Sequence, residues 1–217
     1  MNFERARFNM VEQQVRPWDV LDPAVLDVMM RVRREEFVPQ AYRSIALSEA
    51  VIPLPCGQSM LPPVIEGKVL QAVQVRKEDQ VLEIGAGSGY FAALLAAQAA
   101  WVRTIEIEPE LVRLAAANLA GADVHNVIVE DGDGAQGWAK NAPYDVIVVS
   151  GSLPMLPPAL TDQLKVGGRL FAFVGEAPVM VARRVTKVAE GQLRTEDLFE
   201  TLAPPLKNAV KHESFTF

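Results

Sequence analysis

The chain has 217 residues, of which 50% are hydrophobic and 22% are charged, and its formal net charge is −6. This length suits one α/β domain with a modest extension, and the composition is ordinary for a globular protein. The acidic balance argues against a nucleic-acid backbone as the main partner, because such binding usually needs a clustered basic face. The single cysteine excludes an internal disulfide bond, and no Cys/His spacing suggests zinc, so we expect no metal site.

The N-terminus and the hydropathy pattern bear on location. Residues 1–7 lack the apolar core of a signal peptide, and no uncharged apolar run reaches about 18 residues. We therefore expect a cytoplasmic protein that does not span a membrane. Nothing in the sequence specifies the oligomeric state.

The first 50 residues have a helical pattern. Asp22 and Pro23 form a good helix start, an N-cap followed by proline at the first helical position. Apolar residues then recur on one helix face at Val25, Met29 and Val32. We expect a helical N-terminal extension.

A proline-rich segment follows at residues 53–63, with four prolines around Gly57-Gln58-Ser59. This density predicts a stiff loop that contains neither a continuous helix nor a paired strand. Apolar residues spaced by four from 65 to 73 then predict another helix.

From residue 80 onward, apolar runs alternate with helical stretches, which predicts an α/β fold with a doubly wound, mostly parallel sheet. The candidate strands are 80–84, 101–106, 126–130, 144–150 and 168–174, and the candidate helices are 90–99, 109–119, about 135–140 and 157–165. Residues 179–188 and 192–202 flank Glu190-Gly191, which predicts a C-terminal antiparallel hairpin.

The most informative segment is 81–89, an apolar strand that runs directly into Gly85, Gly87 and Gly89. Glycine permits positive φ and has no Cβ, so a ligand can lie against the backbone there. Such a turn, at the carboxyl end of a strand and before a helix, is where open α/β sheets bind nucleotide-like cofactors. Dinucleotide sites need the third glycine three residues after the second, where this chain has Tyr90, and this disfavours an NAD-linked oxidoreductase.

An acidic residue, Glu106, ends the next predicted strand, 17 residues beyond Gly89. It is suitably placed to accept hydrogen bonds from ribose hydroxyls. The succession of strand, Glu83, three glycines, helix, strand and Glu106 resembles the S-adenosylmethionine site of class I methyltransferases. This predicts S-adenosyl-L-methionine as the cofactor.

Further segments resemble the protein-L-isoaspartate O-methyltransferase family. Residues 10–17 resemble its opening helix, residues 32–39 resemble its Val-Pro-Arg-Glu-x-Phe-Val-Pro motif, and residues 57–59 resemble its Gly-Gln-Thr motif. Later in the chain, residues 132–138 resemble its adenine-side loop. Residues 142–145 resemble its fourth strand, and residues 163–170 resemble the approach to its fifth strand. The resemblance covers roughly residues 8–205. It implies a Rossmann-like methyltransferase in which residues 1–78 form a helical cap with the substrate loop and residues 79–217 bind the cofactor, in one compact unit.

The resemblance implies a set of cofactor-binding residues: Glu83, Gly85, Ala86, Gly87, Ser88, Gly89, Glu106, Ile107, Asp133 and Gly134. Glu83 would hold the ammonium of the methionyl end, Ile107 would pack beside the adenine, and Asp133 and Gly134 would meet the adenine edge. Structural alternatives remain: the glycines fit a tight strand–helix turn without a ligand, Glu83 a buried acid paired within the core, Glu106 an exposed strand end and Ile107 a core position. Asp133-Gly134 also fits an Asx-type turn.

The resemblance also implies the substrate, the isoaspartyl residues of damaged proteins and peptides, whose carboxylate is methylated. A carboxylate is ionised at neutral pH and needs no general base, which agrees with a chain that has no nucleophile–base pattern. The family's loop continues Gly-Gln-Thr-Ile-Ser-x-Pro, and Leu61 stands where that active-site serine is expected. Gln58 and Ser59 are the candidate catalytic residues, although stabilisation of the loop fits them nearly as well.

Leu61 keeps two other hypotheses open. One is a methyltransferase with the same cofactor and another acceptor, either a small molecule or a different protein group. The other is a protein that binds the cofactor or a partner without catalysis.

Overall fold

A computed structural model describes residues 2–210, so the last seven residues of the predicted range 79–217 lie outside the described part. The predicted boundary between residues 78 and 79 stays a prediction. Within the described range, no helix is both long and apolar enough to cross a bilayer.

The N-terminal extension is helical, as predicted. Helix α1 (Phe3–Asn9) continues into a π-helical segment, and α2 (Pro23–Arg31) follows after a 3₁₀ turn. The side chain of Asp22 caps α2 by accepting a hydrogen bond from the backbone N–H of Ala24 at 2.9 Å. Two 3₁₀ segments, Arg34–Glu36 and Gln40–Ile45, lead to the proline-rich segment.

The proline-rich segment contains a short strand pair, so the prediction that its prolines exclude paired strands is wrong. Strand β1 (Ile52–Pro53) pairs antiparallel with β2 (Ser59–Met60) around a 3₁₀ turn. The missing N–H of Pro53 does not prevent pairing, because Leu54 next to it donates its N–H to the Gln58 carbonyl at 2.8 Å. Helix α3 (Pro63–Val73) starts immediately afterwards, where a helix was predicted.

The remaining strands form one seven-stranded sheet. In chain order they are β3 (Gln80–Ile84), β4 (Trp101–Glu106), β5 (Val127–Asp131), β6 (Tyr144–Leu153), β7 (Leu164–Glu176), β8 (Val179–Ala189) and β9 (Gln192–Thr201). Their order in the sheet is β5-β4-β3-β6-β7-β8-β9, and the first five are parallel. The antiparallel hairpin of β8 and β9 confirms the predicted fold class.

Up to residue 210, three α-helices follow the glycine-rich turn, and they differ in length from the predicted ones. They are α4 (Tyr90–Ala96), α5 (Pro109–Gly121) and α6 (Pro158–Asp162). The helix predicted at about 135–140 is wrong, because Gly137 has a φ of +83° and only a 3₁₀ turn, Ala139–Asn141, forms there. The predicted helix 157–165 ends early because Leu164 already begins β7.

Both faces of the sheet are buried. Phe171 and Phe173 pack with the N-terminal extension, α3 and α4 on one face, whereas Leu82 and Ile84 pack with Leu160 of α6 on the other. The order of the strands places β3 between β4 and β6. The chain therefore leaves β3 toward one side of the sheet and β6 continues the sheet on the other side, which opens a crevice at their carboxyl ends.

Candidate cofactor and acceptor site

Three adjoining cavities lie at the carboxyl ends of β3, β4 and β6, and Gly85 borders all of them. The outer cavity lies among Gln58, Ser59, Gly85, Gly87, Glu106, Ile107, Glu108, Ser150 and residues 204–207. The inner cavity lies among Ser59, Leu61, Glu66, Glu83, residues 85–88, Tyr90 and Ser150. The side cavity lies among Ile84, Gly85, Glu106, Ile107, Asp133, Gly134 and Leu206.

The sequence-predicted residues converge on these cavities with one exception. Every predicted cofactor-binding residue other than Gly89 borders at least one of the three cavities, and so do Gln58 and Ser59. Gly89 instead packs against α5, where an added Cβ would lie 3.1 Å from the carbonyl oxygen of Ala115. Its role is to let α4 approach α5 closely.

The glycine turn leaves open space above the backbone. Gly85, Gly87 and Gly89 have φ values of +95°, +53° and +83°, a region that disfavours residues with a Cβ. A Cβ on Gly85 would point toward Ser150 and Leu206, which both border the outer cavity, at 3.7 and 3.9 Å. The absent side chain is therefore what keeps this part of the cleft free.

Glu106 is held in place by the backbone. Its Oε2 accepts a hydrogen bond from the N–H of Gly87 at 3.0 Å, and its Oε1 accepts one from the N–H of Glu108 at 3.1 Å. Only 6% of the residue is exposed, and it borders the outer and side cavities. Since each carboxylate oxygen can accept a further bond, this oriented group can bind a vicinal diol.

Glu83 is fully buried and its partners are neutral hydroxyls. Thr104 Oγ1 donates to Oε2 at 2.7 Å, and Ser150 Oγ donates to Oε1 at 3.0 Å. Burial raises the pKa of Glu83 to about 8, while the two hydroxyl hydrogen bonds act in the opposite direction. This carboxyl group is thus paired within the core, and it also borders the inner cavity.

Asp133 and Gly134 follow β5 and border the side cavity. Asp133 Oδ1 accepts the N–H of Ala135 at 2.9 Å, which is the Asx-type turn considered from the sequence, and Oδ2 accepts from Asn208 Nδ2 at 2.9 Å. A Cβ on Gly134 would lie 2.8 Å from Cγ2 of Ile84, so this position has room only for glycine. The chain therefore passes close to Ile84 and Ile105 on its way past the cavity.

Arg34 and Glu66 form a buried ion pair that the sequence analysis did not identify. Arg34 Nη1 lies 2.6 and 2.7 Å from the two carboxylate oxygens of Glu66, and its Nη2 donates to the Leu61 carbonyl at 2.9 Å. Arg34 is fully buried and Glu66 is 2% exposed. Burial raises the pKa of Glu66 to about 7, and the nearby guanidinium opposes this rise.

The segment from Ala203 to Asn208, which we call the C-terminal strap, was not predicted either. It runs alongside the end of β6, where Leu206 N–H donates to the Ser152 carbonyl at 2.9 Å. Lys207 then pairs with Glu108 and Asn208 with Asp133 across the cleft. In the sequence, Pro204-Pro205 indicates that β9 has ended before it. The two prolines do not indicate which way the chain continues.

No metal centre is apparent in the described residues: within 2–210, no three His, Cys, Asp or Glu side chains are grouped as ligands. The site instead combines open backbone, oriented carboxyl groups and apolar side chains. Such a lining can hold a nucleoside with a charged tail.

Comparisons with known proteins agree with this geometry. A model of the family described as Protein-L-isoaspartate(D-aspartate) O-methyltransferase matches residues 6–211. Protein-L-isoaspartate O-methyltransferase 1 of Rhodopseudomonas palustris (strain HaA2) is 41% identical over 206 residues, which cover 94% of this chain and 84% of the relative. The enzyme of that name from Koribacter versatilis (strain Ellin345) is 40% identical over 204 residues, covering 94% and 91%.

Two solved structures share the fold. A protein-L-isoaspartate O-methyltransferase matches with a TM-score of 0.82 at 24% identity, over 94% of this chain and 67% of its own. A Plasmodium falciparum chain assigned to the same kind of methyltransferase, solved with S-adenosyl-L-homocysteine, matches with a TM-score of 0.81 at 19% identity, over 95% and 99%. At these identities the likeness concerns the architecture alone.

Proposed function

Because the chain belongs to the protein-L-isoaspartate(D-aspartate) O-methyltransferase family, we propose that it methylates the carboxylate of isoaspartyl residues in proteins and peptides. Membership makes the chain an S-adenosylmethionine-dependent methyltransferase, which confirms the predicted enzyme class and cofactor. The isoaspartyl substrate and the residue roles are the proposal. One observation supports it best: Ser59 borders the same cavities as Gly85, Gly87 and Ser150, and it belongs to the proline-rich segment 53–63, which we call the acceptor loop.

The residues of the cleft fit the cofactor. Ile107 and Leu206 offer apolar surface for the adenine, and the side chain of Asp133 and the backbone at Gly134 lie at the same cavity. Glu106 offers an oriented carboxylate for the ribose hydroxyls, and the space above Gly85 leaves room for the chain that joins ribose and methionine. Glu83 offers a carboxyl group for the ammonium at the far end.

The reaction makes few chemical demands on the chain. The bound cofactor would supply a methyl group on a sulfonium that is already a good leaving group. An isoaspartyl carboxylate, with a pKa of about 4, is ionised at neutral pH and needs no base. The protein's task is therefore to hold the acceptor oxygen in line at contact distance, and Ser59 and Gln58 are the side chains of the acceptor loop that border the outer cavity.

The proposed activity is tested with a synthetic isoaspartyl peptide, an otherwise identical aspartyl peptide and labelled cofactor. We expect transfer to the isoaspartyl peptide only. Leu61 borders the inner cavity but has no hydrogen-bonding side-chain group, so Leu61→Ser should raise kcat/KM by about tenfold through one hydrogen bond to a charged group. Absence of transfer by both proteins would reject isoaspartyl methylation.

Leu61 also supports a second candidate function, transfer to another acceptor. In that case Leu61→Ser should leave the isoaspartyl rate at background and lower transfer to the true acceptor. A panel of small-molecule and protein acceptors with the labelled cofactor distinguishes the two outcomes.

Cofactor affinity should depend on pH through Glu83. With a pKa of about 8, Glu83 is largely protonated at neutral pH, and an ammonium ligand favours its ionised form. Binding therefore releases a proton, and the affinity for S-adenosylhomocysteine should rise with pH up to about pH 8, by at most about tenfold per unit. The charged or titratable groups that act on Glu83 are Glu106 and Glu66, and both raise its pKa.

Isothermal titration calorimetry between pH 6.5 and 8.5, in two buffers of different ionisation enthalpy, measures both the affinity and the proton release. The variant Glu83→Gln should remove most of this release. A flat affinity profile without proton release in the wild-type protein would contradict the ammonium role of Glu83.

A further inference from the structure

Two buried acidic residues that come from different layers of the fold border the inner cavity. Glu83 lies on β3 and is fully buried, and Glu66 lies in the first turn of α3 and is 2% exposed. Both residues border the same cavity, together with Ser59, Leu61 and Tyr90. Of these two acidic residues, the sequence resemblance implied a ligand role only for Glu83.

The charges around this cavity do not balance. Arg34 is the guanidinium that contacts Glu66, and its Nε and Nη2 are already bound to the carbonyls of Ala46 and Leu61. Glu83 receives hydrogen bonds from hydroxyl groups only, and no lysine or arginine is among the described residues that border the cavity. Of the two buried carboxyl groups, Glu66 thus contacts a cation, whereas the hydrogen bonds of Glu83 come from neutral hydroxyls.

Such an excess of carboxyl groups favours a cationic ligand. Burying an unpaired carboxylate is costly, and the group stays protonated unless a cation arrives. The raised pKa values of Glu66 and Glu83, about 7 and about 8, agree with this environment. Glu49, near Arg34, adds negative charge that acts on Glu66 and contributes no cation.

The methionyl end of the cofactor, which carries an ammonium group, matches this site. Glu106 and Asp133 border the outer and side cavities, where the ribose and adenine belong under the proposed function. The inner cavity continues from Gly85 along Ala86, Gly87 and Ser88, so it is left for the methionyl end.

We propose that Glu66 and Glu83 together bind the α-ammonium of S-adenosylmethionine, and that Arg34 positions Glu66 for this contact. Glu66 is then a second carboxylate at the ammonium, contributed by the N-terminal extension. This inference rests on the cofactor part of the proposed function and is independent of the methyl acceptor.

The test compares two ligands that differ at the methionyl end. S-adenosylhomocysteine carries the ammonium, whereas 5′-methylthioadenosine keeps the adenine, ribose and thioether but has no amino-acid end. Calorimetry with the full chain measures both ligands on the wild type, on Glu66→Gln and on a control, Glu49→Gln. Glu49 lies in the same neighbourhood, accepts the N–H of Val64 at 2.7 Å and does not border the inner cavity.

We expect Glu66→Gln to weaken S-adenosylhomocysteine binding by about tenfold, as for loss of one hydrogen bond to a charged group, and to leave 5′-methylthioadenosine unchanged. Binding of 5′-methylthioadenosine also shows that the variant has folded. The control should leave 5′-methylthioadenosine unchanged and should not weaken S-adenosylhomocysteine, because Glu49 raises the pKa of Glu66 and its removal favours the ionised carboxylate. Equal weakening of both ligands, or of neither, would assign Glu66 a structural role and overturn the inference.

A second variant covers the case in which Glu66→Gln does not fold. Glu66→Asp keeps the charge for Arg34 but withdraws the carboxylate by one methylene, so it should weaken only S-adenosylhomocysteine, and by a smaller factor. A loss shared by both ligands, or none, would overturn the inference here too. Failure of the isoaspartyl peptide assay, with this ligand selectivity intact, would reject the acceptor and leave the ammonium site standing.

Discussion

Replacing Arg34 with methionine is expected to lower the free energy of unfolding by about 3–5 kcal/mol, the range measured when one partner of a buried ion pair is removed. Arg34 is fully buried, and its loss leaves the carboxyl group of Glu66 without its cation. The carbonyls of Ala46 and Leu61 lose a donor at the same time. Urea unfolding followed by circular dichroism measures the change.

An exposed ion pair in the same extension provides the control. Arg31 contacts Asp27 at 2.8 Å, and both side chains are more than half exposed. Arg31→Met should therefore cost less than about 1 kcal/mol. The double variant Arg34→Met/Glu66→Leu should recover part of the lost stability, because no unpaired charge remains. Equal costs for Arg31→Met and Arg34→Met would contradict the assigned importance of the buried pair.

The second large effect is expected at Glu106. Glu106→Ala should weaken the binding of S-adenosylhomocysteine by about 100-fold, because two hydrogen bonds from ribose hydroxyls to a carboxylate are lost. The change also removes the acceptor that holds the N–H groups of Gly87 and Glu108, so the glycine turn loses a contact. Calorimetric titration gives the affinity directly.

Asp131 is the matched control for Glu106. It pairs with Glu106 in the register of β4 and β5, so it lies at the same edge of the sheet, but it is exposed and borders none of the three cavities. Asp131→Ala should leave the affinity unchanged. A Glu106→Ala variant that binds as tightly as Asp131→Ala would rule out the ribose contact.

The acceptor loop owes its position to the same buried contacts. Arg34 reaches the Leu61 carbonyl from the N-terminal cap, and β1 pairs with β2 at Ser59. Loss of Arg34 would therefore act on the acceptor side of the cleft as well as on stability. The loop is thus anchored by the N-terminal extension and by its own strand pair.

Local sequence was sufficient for the glycine turn and for the acid at the end of the neighbouring strand. Strand β3 and the glycines after it were predicted from apolar residues followed by Gly85, Gly87 and Gly89, and all three glycines have positive φ. The position of Glu106 at the end of the neighbouring strand follows from the same pattern, because parallel strands present their carboxyl ends at one edge of the sheet. These features depend on short-range spacing.

The local sequence predicted the wrong structure where contacts with distant residues determine the backbone conformation. The helix predicted at about 135–140 does not form. Gly137 has a positive φ, and Trp138 makes hydrogen bonds with residues outside the segment. The backbone N–H of Trp138 donates to Gln163 Oε1 at 2.7 Å, and its indole N–H donates to Glu130 Oε2 at 2.9 Å. A helical pattern in the sequence predicts neither of these hydrogen-bond partners.

Taken by itself, the sequence determined the seven strands of the large sheet in chain order, the glycine turn, the acid at the next strand end and the family, because each is encoded in neighbouring residues. Only the tertiary structure decided that Glu66 and Glu83 border the same cavity, that Arg34 pairs with Glu66 across 32 positions, and that the C-terminal strap joins Lys207 to Glu108 across 99. The physical reason is that such contacts depend on how distant segments pack on the sheet. No periodicity within a segment encodes that packing.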